Sequence, residues 1–82
     1  MSKLPLLSGR EIVRILVKYF GFKVSRQKGS HVVLVKHEKD RKIVTVVPLH
    51  KEVKRGTLLG VLKLAKISKD EFLKAIKRIR NY

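Results

Sequence analysis

Three β-branched runs separated by short turns constrain this chain more than any other feature: Phe22–Lys28, His31–Lys36 and Lys42–Val47. Gly29-Ser30 divides the first two, and Glu38-Lys39-Asp40-Arg41 forms the turn before the third. A parallel pair needs a crossover of about a dozen residues, so links this short favour an antiparallel meander. Pro48 ends the third run, since proline cannot donate to a central ladder.

Such a sheet must bury one face, and the flanking segments supply amphipathic helices to cover it. Ser8-Gly9-Arg10-Glu11 has the form of a capping box. Ile12, Ile15, Leu16 and Tyr19 follow at helical spacing, and Gly21 is a left-handed stop, which predicts a helix at about 8–20. Thr57 reads as the N-cap of a second helix at about 58–66, with Leu58, Val61, Leu62 and Ala65 on one face. Gly60 within it costs about 1 kcal/mol relative to alanine; it reads as a position allowing close packing on the sheet. Ser68-Lys69-Asp70-Glu71 is another capping box, opening a third helix to about Arg80 with Phe72, Ile76 and Ile79 inward. The expectation is a single α+β domain over residues 1–82. Its three-stranded antiparallel sheet is covered by helices on one face, with an extra helix at the C-terminal end.

Charge narrows the partners. Lys plus Arg number 21 against 6 Asp plus Glu, a formal net charge of +15. The self-repulsion this stores is relieved by a polyanion, and nucleic acid binding gains further from counterion release. An anionic membrane, an acidic protein or a merely solvated basic surface are the other readings. No run approaches the ~20 apolar residues of a membrane span. The apolar stretch near the start is interrupted by Pro5, too short for a signal peptide. These features predict a cytoplasmic protein without a membrane partner. Cysteine is absent, so neither a disulfide nor a thiolate metal site supports the fold.

Histidine is the one side chain here suited to acid–base chemistry near neutral pH, and there are three: His31, His37 and His50. No two share a metal-binding spacing on one helix, and the few carboxylates argue against a zinc, magnesium or two-metal centre. Metal-independent RNA cleavage needs a base for the 2′-hydroxyl, cations for the phosphorane and a proton for the leaving 5′-oxygen. His31 stands in Arg26-Gln27-Lys28-Gly29-Ser30-His31, with cations close by. The plain alternative is a strand-end histidine with a satisfied hydrogen bond. His37 reads as an exposed turn residue. His50, in a loop beside Lys51, reads as a substrate contact or a structural residue. Lys51, Lys54 and Arg55 precede the second helix, whose free amides favour phosphate, against the alternative of a solvated loop. Arg10, Arg14 and Lys18 stack at i, i+4 and i+8 as a stripe on helix 1, otherwise an ordinary solvated face. Tyr19 and Phe20 read as core rather than as stacking platforms.

Gly29-Ser30-His31 opening a β-branched strand after a short helix resembles the HicA (YcfA-like) family of small toxin ribonucleases. Val46-Val47-Pro48-Leu49-His50, then Gly56-Thr57-Leu58 with Leu62 and Ala65, continue the likeness, as do Ile67-Ser68 and Glu71-Phe72. The resemblance covers about residues 8–76. It implies a double-stranded-RNA-binding-domain-like α-β-β-β-α fold, cleavage of messenger RNA with His31 as the catalytic residue, and neutralisation by a HicB-type antitoxin. Arg26, Lys28, Ser30, His50, Lys51, Lys54 and Arg55 are the expected RNA contacts, and no metal or other cofactor is expected. The rival expectation is a non-catalytic RNA-binding domain of the same fold. Lys77-Arg78-Ile79-Arg80 carries helix 3 past the usual family shape, either as a basic tail for RNA or as a stability extension.

Overall fold

A computed structural model describes residues 4–80 as α1 (Gly9–Phe20), β1 (Lys23–Lys28), β2 (His31–Glu38), β3 (Arg41–Pro48), α2 (Arg55–Ala65) and α3 (Lys69–Arg80). The strands form one antiparallel sheet in the order β1-β2-β3, as the short turns predict. The α-β-β-β-α order with an added C-terminal helix is the expected one.

Local signals account for most boundaries. Ser8 and Glu11 close the capping box reciprocally, at 2.9 and 3.1 Å. Gly21 ends α1 in the left-handed conformation (φ 76°), and its amide and that of Phe22 both close on the Leu16 carbonyl. That reversal carries Phe22 into the core ahead of β1, rather than into the strand. Ser68 and Glu71 cap α3 in the same reciprocal way.

Alternation then decides which sheet face is buried. Val32 and Leu34 of β2 lie opposite Val47 and Thr45 of β3, and all four are buried, as is Ile43. Against them pack Ile12, Ile15 and Leu16 of α1, Leu58, Val61 and Leu62 of α2, and Phe72 and Ile76 of α3. Each such side chain contributes about 1.5–3 kcal/mol when fully buried. The exposed Glu38–Arg41 pair (3.3 Å) adds at most about 1 kcal/mol, so the core holds the fold. Thr45 is the buried polar residue on this face; its hydroxyl donates to the Val61 carbonyl at 2.8 Å and ties β3 to α2. The opposite face carries His31, Val33, Val35 and His37 with Val44 and Val46, and the two β3 valines are exposed.

Several expectations are corrected. α2 begins at Arg55 with Lys54 as its N-cap and no side-chain cap, so Thr57 lies inside the first turn. Tertiary contacts set that entry: the Val53 amide donates to Leu7 (2.7 Å) and Arg55 Nε to the Leu4 carbonyl (2.5 Å). Gly60 is exposed with open space around it, so it is not a packing contact. Gly9 is the close approach instead, because a methyl there would overlap the Pro48 carbonyl oxygen. β2 and β3 extend until only Lys39-Asp40 forms the turn, which places His37 within β2, still exposed. Ile79 remains 37% exposed and lines a surface hollow together with Leu7, Ile15 and Ile76. Tyr19 and Phe20 are half-buried against the core rather than enclosed by it.

Candidate functional site

The site is built at the end of the sheet where β1 turns into β2. Gly29 takes φ 60° and Ser30 does not adopt positive φ, the pattern of a type II′ hairpin turn, which matches the twist of the flanking strands. The turn pairs Lys28 directly with His31, and His31 in turn with Pro48. Directly opposed residues hold their Cβ atoms about 4.5–5.5 Å apart. The next row is Arg26, Val33 and Val46, and the one after it Lys23, Val35 and Val44.

Register settles the sheet face of His31, which the apolar neighbours on both sides leave open in the sequence. His31 shares a face with Val33 and Val35, away from buried Val32 and Leu34, and it is exposed. A β-bulge between Val24 and Arg26 decides which residues of β1 join it. Without the extra residue Val24 would share the open face with Arg26 and Lys28. With it, Val24 pairs with buried Leu34 and Lys23 takes the open face instead. The result is a cationic β1 edge of Lys23, Arg26 and Lys28 beside one imidazole. No sequence signal marks that bulge.

The exit of β3 is pinned to the same turn. The Leu49 amide donates to the Ser30 carbonyl at 2.6 Å, and the Gly9 amide donates to the His50 carbonyl at 2.9 Å. His50 therefore follows two residues after the strand partner of His31, at the same end of the sheet and exposed. Arg26, Lys28, Ser30 and His31 thus come together as a cluster, with His50 across the pinned exit. Lys51, Lys54 and Arg55 lie further along, towards the N-terminal segment that pairs through Leu7 and Val53. Arg55 is held there by its bond to Leu4, which ties down part of its guanidinium.

On the helical side, Arg10 and Arg14 of α1 and Gln27 of β1 wall a groove of about 420 Å³ whose floor includes Val32 and Leu49. The arginine stripe is visible in the sequence; the part taken by Gln27 is not. Among the described residues, no three His, Cys, Asp or Glu side chains gather where they could hold a metal ion. The cluster at the turn therefore offers an imidazole, open to solvent, beside two cations. An imidazole can move a proton, and fixed cations can stabilise charge developing on a phosphate.

A family model described as the HicA toxin of bacterial toxin–antitoxin systems matches residues 9–67. The match takes in α1, the whole sheet and α2, and ends before α3. No curated protein and no solved structure matches the chain.

Proposed function

This chain belongs to the HicA toxin family, whose members are the toxins of toxin–antitoxin systems, and we propose that it is a metal-independent endoribonuclease acting on messenger RNA in the cytoplasm through His31. One observation carries this reading. His31 is exposed on the open face of the sheet, paired with Lys28 and one row from Arg26.

In this mechanism His31 takes the proton of a 2′-hydroxyl, and the 2′-oxygen attacks the adjacent phosphorus. Lys28 and Arg26 stabilise the added negative charge of the phosphorane. The bond from phosphorus to the 5′-oxygen then breaks, and that oxygen gains a proton, with His50 as the candidate donor. The products are a 2′,3′-cyclic phosphate and a 5′-hydroxyl. Ser30, Lys51, Lys54 and Arg55 are proposed RNA contacts, and a HicB-type antitoxin is the proposed neutralising partner, favoured by the strongly basic surface. The proposed functional unit is the single domain of residues 1–82.

The test is cleavage of a defined RNA with end-group analysis, in the presence of chelator. Cyclic or 3′-phosphate ends that persist with EDTA are expected. Loss of a positioned general base costs about 10²–10⁴-fold in rate, so His31→Ala should fall by at least the lower figure. Because His31 is exposed, its melting temperature should match that of the unaltered chain. Magnesium dependence or 5′-phosphate ends would refute the chemistry. RNA binding without cleavage by the unaltered chain would favour the non-catalytic RNA-binding domain instead.

A further inference from the structure

A row of cations outside the turn lies on α3, beyond the end of the family match. A cleft of about 450 Å³ separates the C-terminal end of α1 from α3, with Tyr19 and Phe20 on one wall and Lys74, Lys77 and Arg78 on the other. Phe20 stacks on fully buried Phe72, with ring centroids 6.4 Å apart and 21° between planes. All three cations are exposed, and their i, i+3, i+4 spacing keeps them on one face of α3. Glu71 also lines the cleft, but its carboxylate already accepts from the Ser68 amide at 3.0 Å.

Two aromatic residues opposite a row of cations suit a ligand with both π faces and repeated negative charge. An acidic peptide would satisfy the cations and leave the aromatic wall unused. We propose that this cleft is a second binding site for single-stranded RNA, taking an unstacked base against Tyr19 and Phe20 and the flanking phosphates on Lys74, Lys77 and Arg78. The polymer's identity rests on the ribonuclease reading above.

The stripe along α1 supplies the path between the two sites. Arg10, Arg14 and Lys18 are exposed along the helix, and Lys18 lies in its last turn with Nζ 5.6 Å from the Tyr19 ring centroid. At its other end α1 is bound through Gly9 to His50. The helix is about 18 Å long at ~1.5 Å per residue. At a rise of ~3.4 Å per nucleotide, about five stacked nucleotides cover that length. A strand held at the β1–β2 turn can therefore follow α1 into the cleft, and RNA longer than about five nucleotides gains contacts that shorter RNA does not.

The experiment measures binding of a labelled 15-nucleotide oligouridylate by anisotropy across a salt series, in the His31→Ala background so that the RNA stays intact. The triple variant Lys74→Ser/Lys77→Ser/Arg78→Ser should weaken binding about tenfold or more and lower the salt slope by about 2, the value for three lost phosphate contacts on a single strand. Tyr19→Leu, confirmed as folded by its melting curve, should weaken binding at least about fivefold with the slope unchanged. The control Lys39→Ser/Lys63→Ser/Lys69→Ser removes the same charge from exposed positions elsewhere. Equal weakening by the control, or no weakening by the cleft variants, would overturn the proposal. So would displacement of the RNA by a 15-residue polyglutamate as effective as by unlabelled RNA, which would make the cleft an acidic-protein site. With His31 intact, the cleft triple variant should lower kcat/KM on a 20-nucleotide substrate and leave a five-nucleotide substrate unchanged. If the unaltered chain cleaves neither substrate, the ribonuclease reading fails, while the binding series still decides the cleft.

Discussion

Adding one methyl group at Gly9 and one at Gly60 should move stability in opposite directions, although both glycines begin or occupy a helix. At Gly9 a Cβ would overlap the Pro48 carbonyl oxygen and stand 2.7 Å from the Leu49 Cα, where ordinary contact begins at 3.4 Å. Both neighbours are backbone, so α1 and the 48–50 segment must separate by at least the difference, 0.7 Å. The Gly9–His50 hydrogen bond, 2.9 Å long, then stretches beyond about 3.6 Å and is lost. Overpacking costs about 1–3 kcal/mol and the lost bond about 1 kcal/mol, offset by about 1 kcal/mol of better helix propensity. The net expectation is a loss of about 1–3 kcal/mol. In a domain of this size each kcal/mol moves Tm by about 4–8 °C, so Gly9→Ala should melt about 4–24 °C lower. Nothing lies within 4 Å of a Cβ at Gly60, so Gly60→Ala keeps only the propensity gain and should melt about 4–8 °C higher. Circular dichroism melts of the two variants give the comparison. RNA cleavage should also fall in Gly9→Ala, because the same displacement loosens the Leu49–Ser30 bond beside His31. A Gly9→Ala chain melting at or above the unaltered protein, or a Gly60→Ala chain melting below it, would refute this account.

The other expectations concern single contacts. Thr45→Val keeps the shape of a buried side chain and removes its hydrogen bond to Val61, so urea unfolding should show a loss of about 0.5–1.5 kcal/mol. A larger loss would mean that the bond also positions α2. The Glu71 carboxyl is held below its ordinary value of 4.5, first by the Ser68 amide and then by the Ser68 side chain. A depressed folded-state value contributes stability in full above the ordinary value, and that contribution fades as pH falls through the folded one. The stability difference between the unaltered chain and Glu71→Gln should therefore be flat above pH 4.5 and shrink on acidification, as read from melts across that range. A difference that grew on acidification would contradict the assignment.

Much of the fold is legible from short-range chemistry. The reciprocal Ser8–Glu11 and Ser68–Glu71 caps, the Gly21 stop and the Gly29-Ser30 turn each depend on residues within a few positions of one another. Local sterics and hydrogen bonding are enough to place them. The start of α2 is different. No side chain caps it, and its entry depends on bonds to Leu4 and Leu7 some fifty positions earlier. The same holds for the two glycines, whose roles depend on what another part of the chain places against them.

For the candidate site, the resemblance carried by Gly29-Ser30-His31 is what singles out His31 among three histidines, and nearness in sequence associates it with Arg26 and Lys28. The periodicity of β2 could not choose its face, because Val32, Val33, Leu34 and Val35 are alike in hydropathy. Pairing with β3 and packing of α1 and α2 made that choice, by burying Val32 and Leu34 and leaving His31 in water. The bulge before Arg26 and the meeting of α1 with α3 were likewise settled by tertiary structure. Capping and turn geometry act over a few bonds and are written in consecutive residues; the face a strand presents and the neighbour a helix meets are long-range choices, made when the whole core packs.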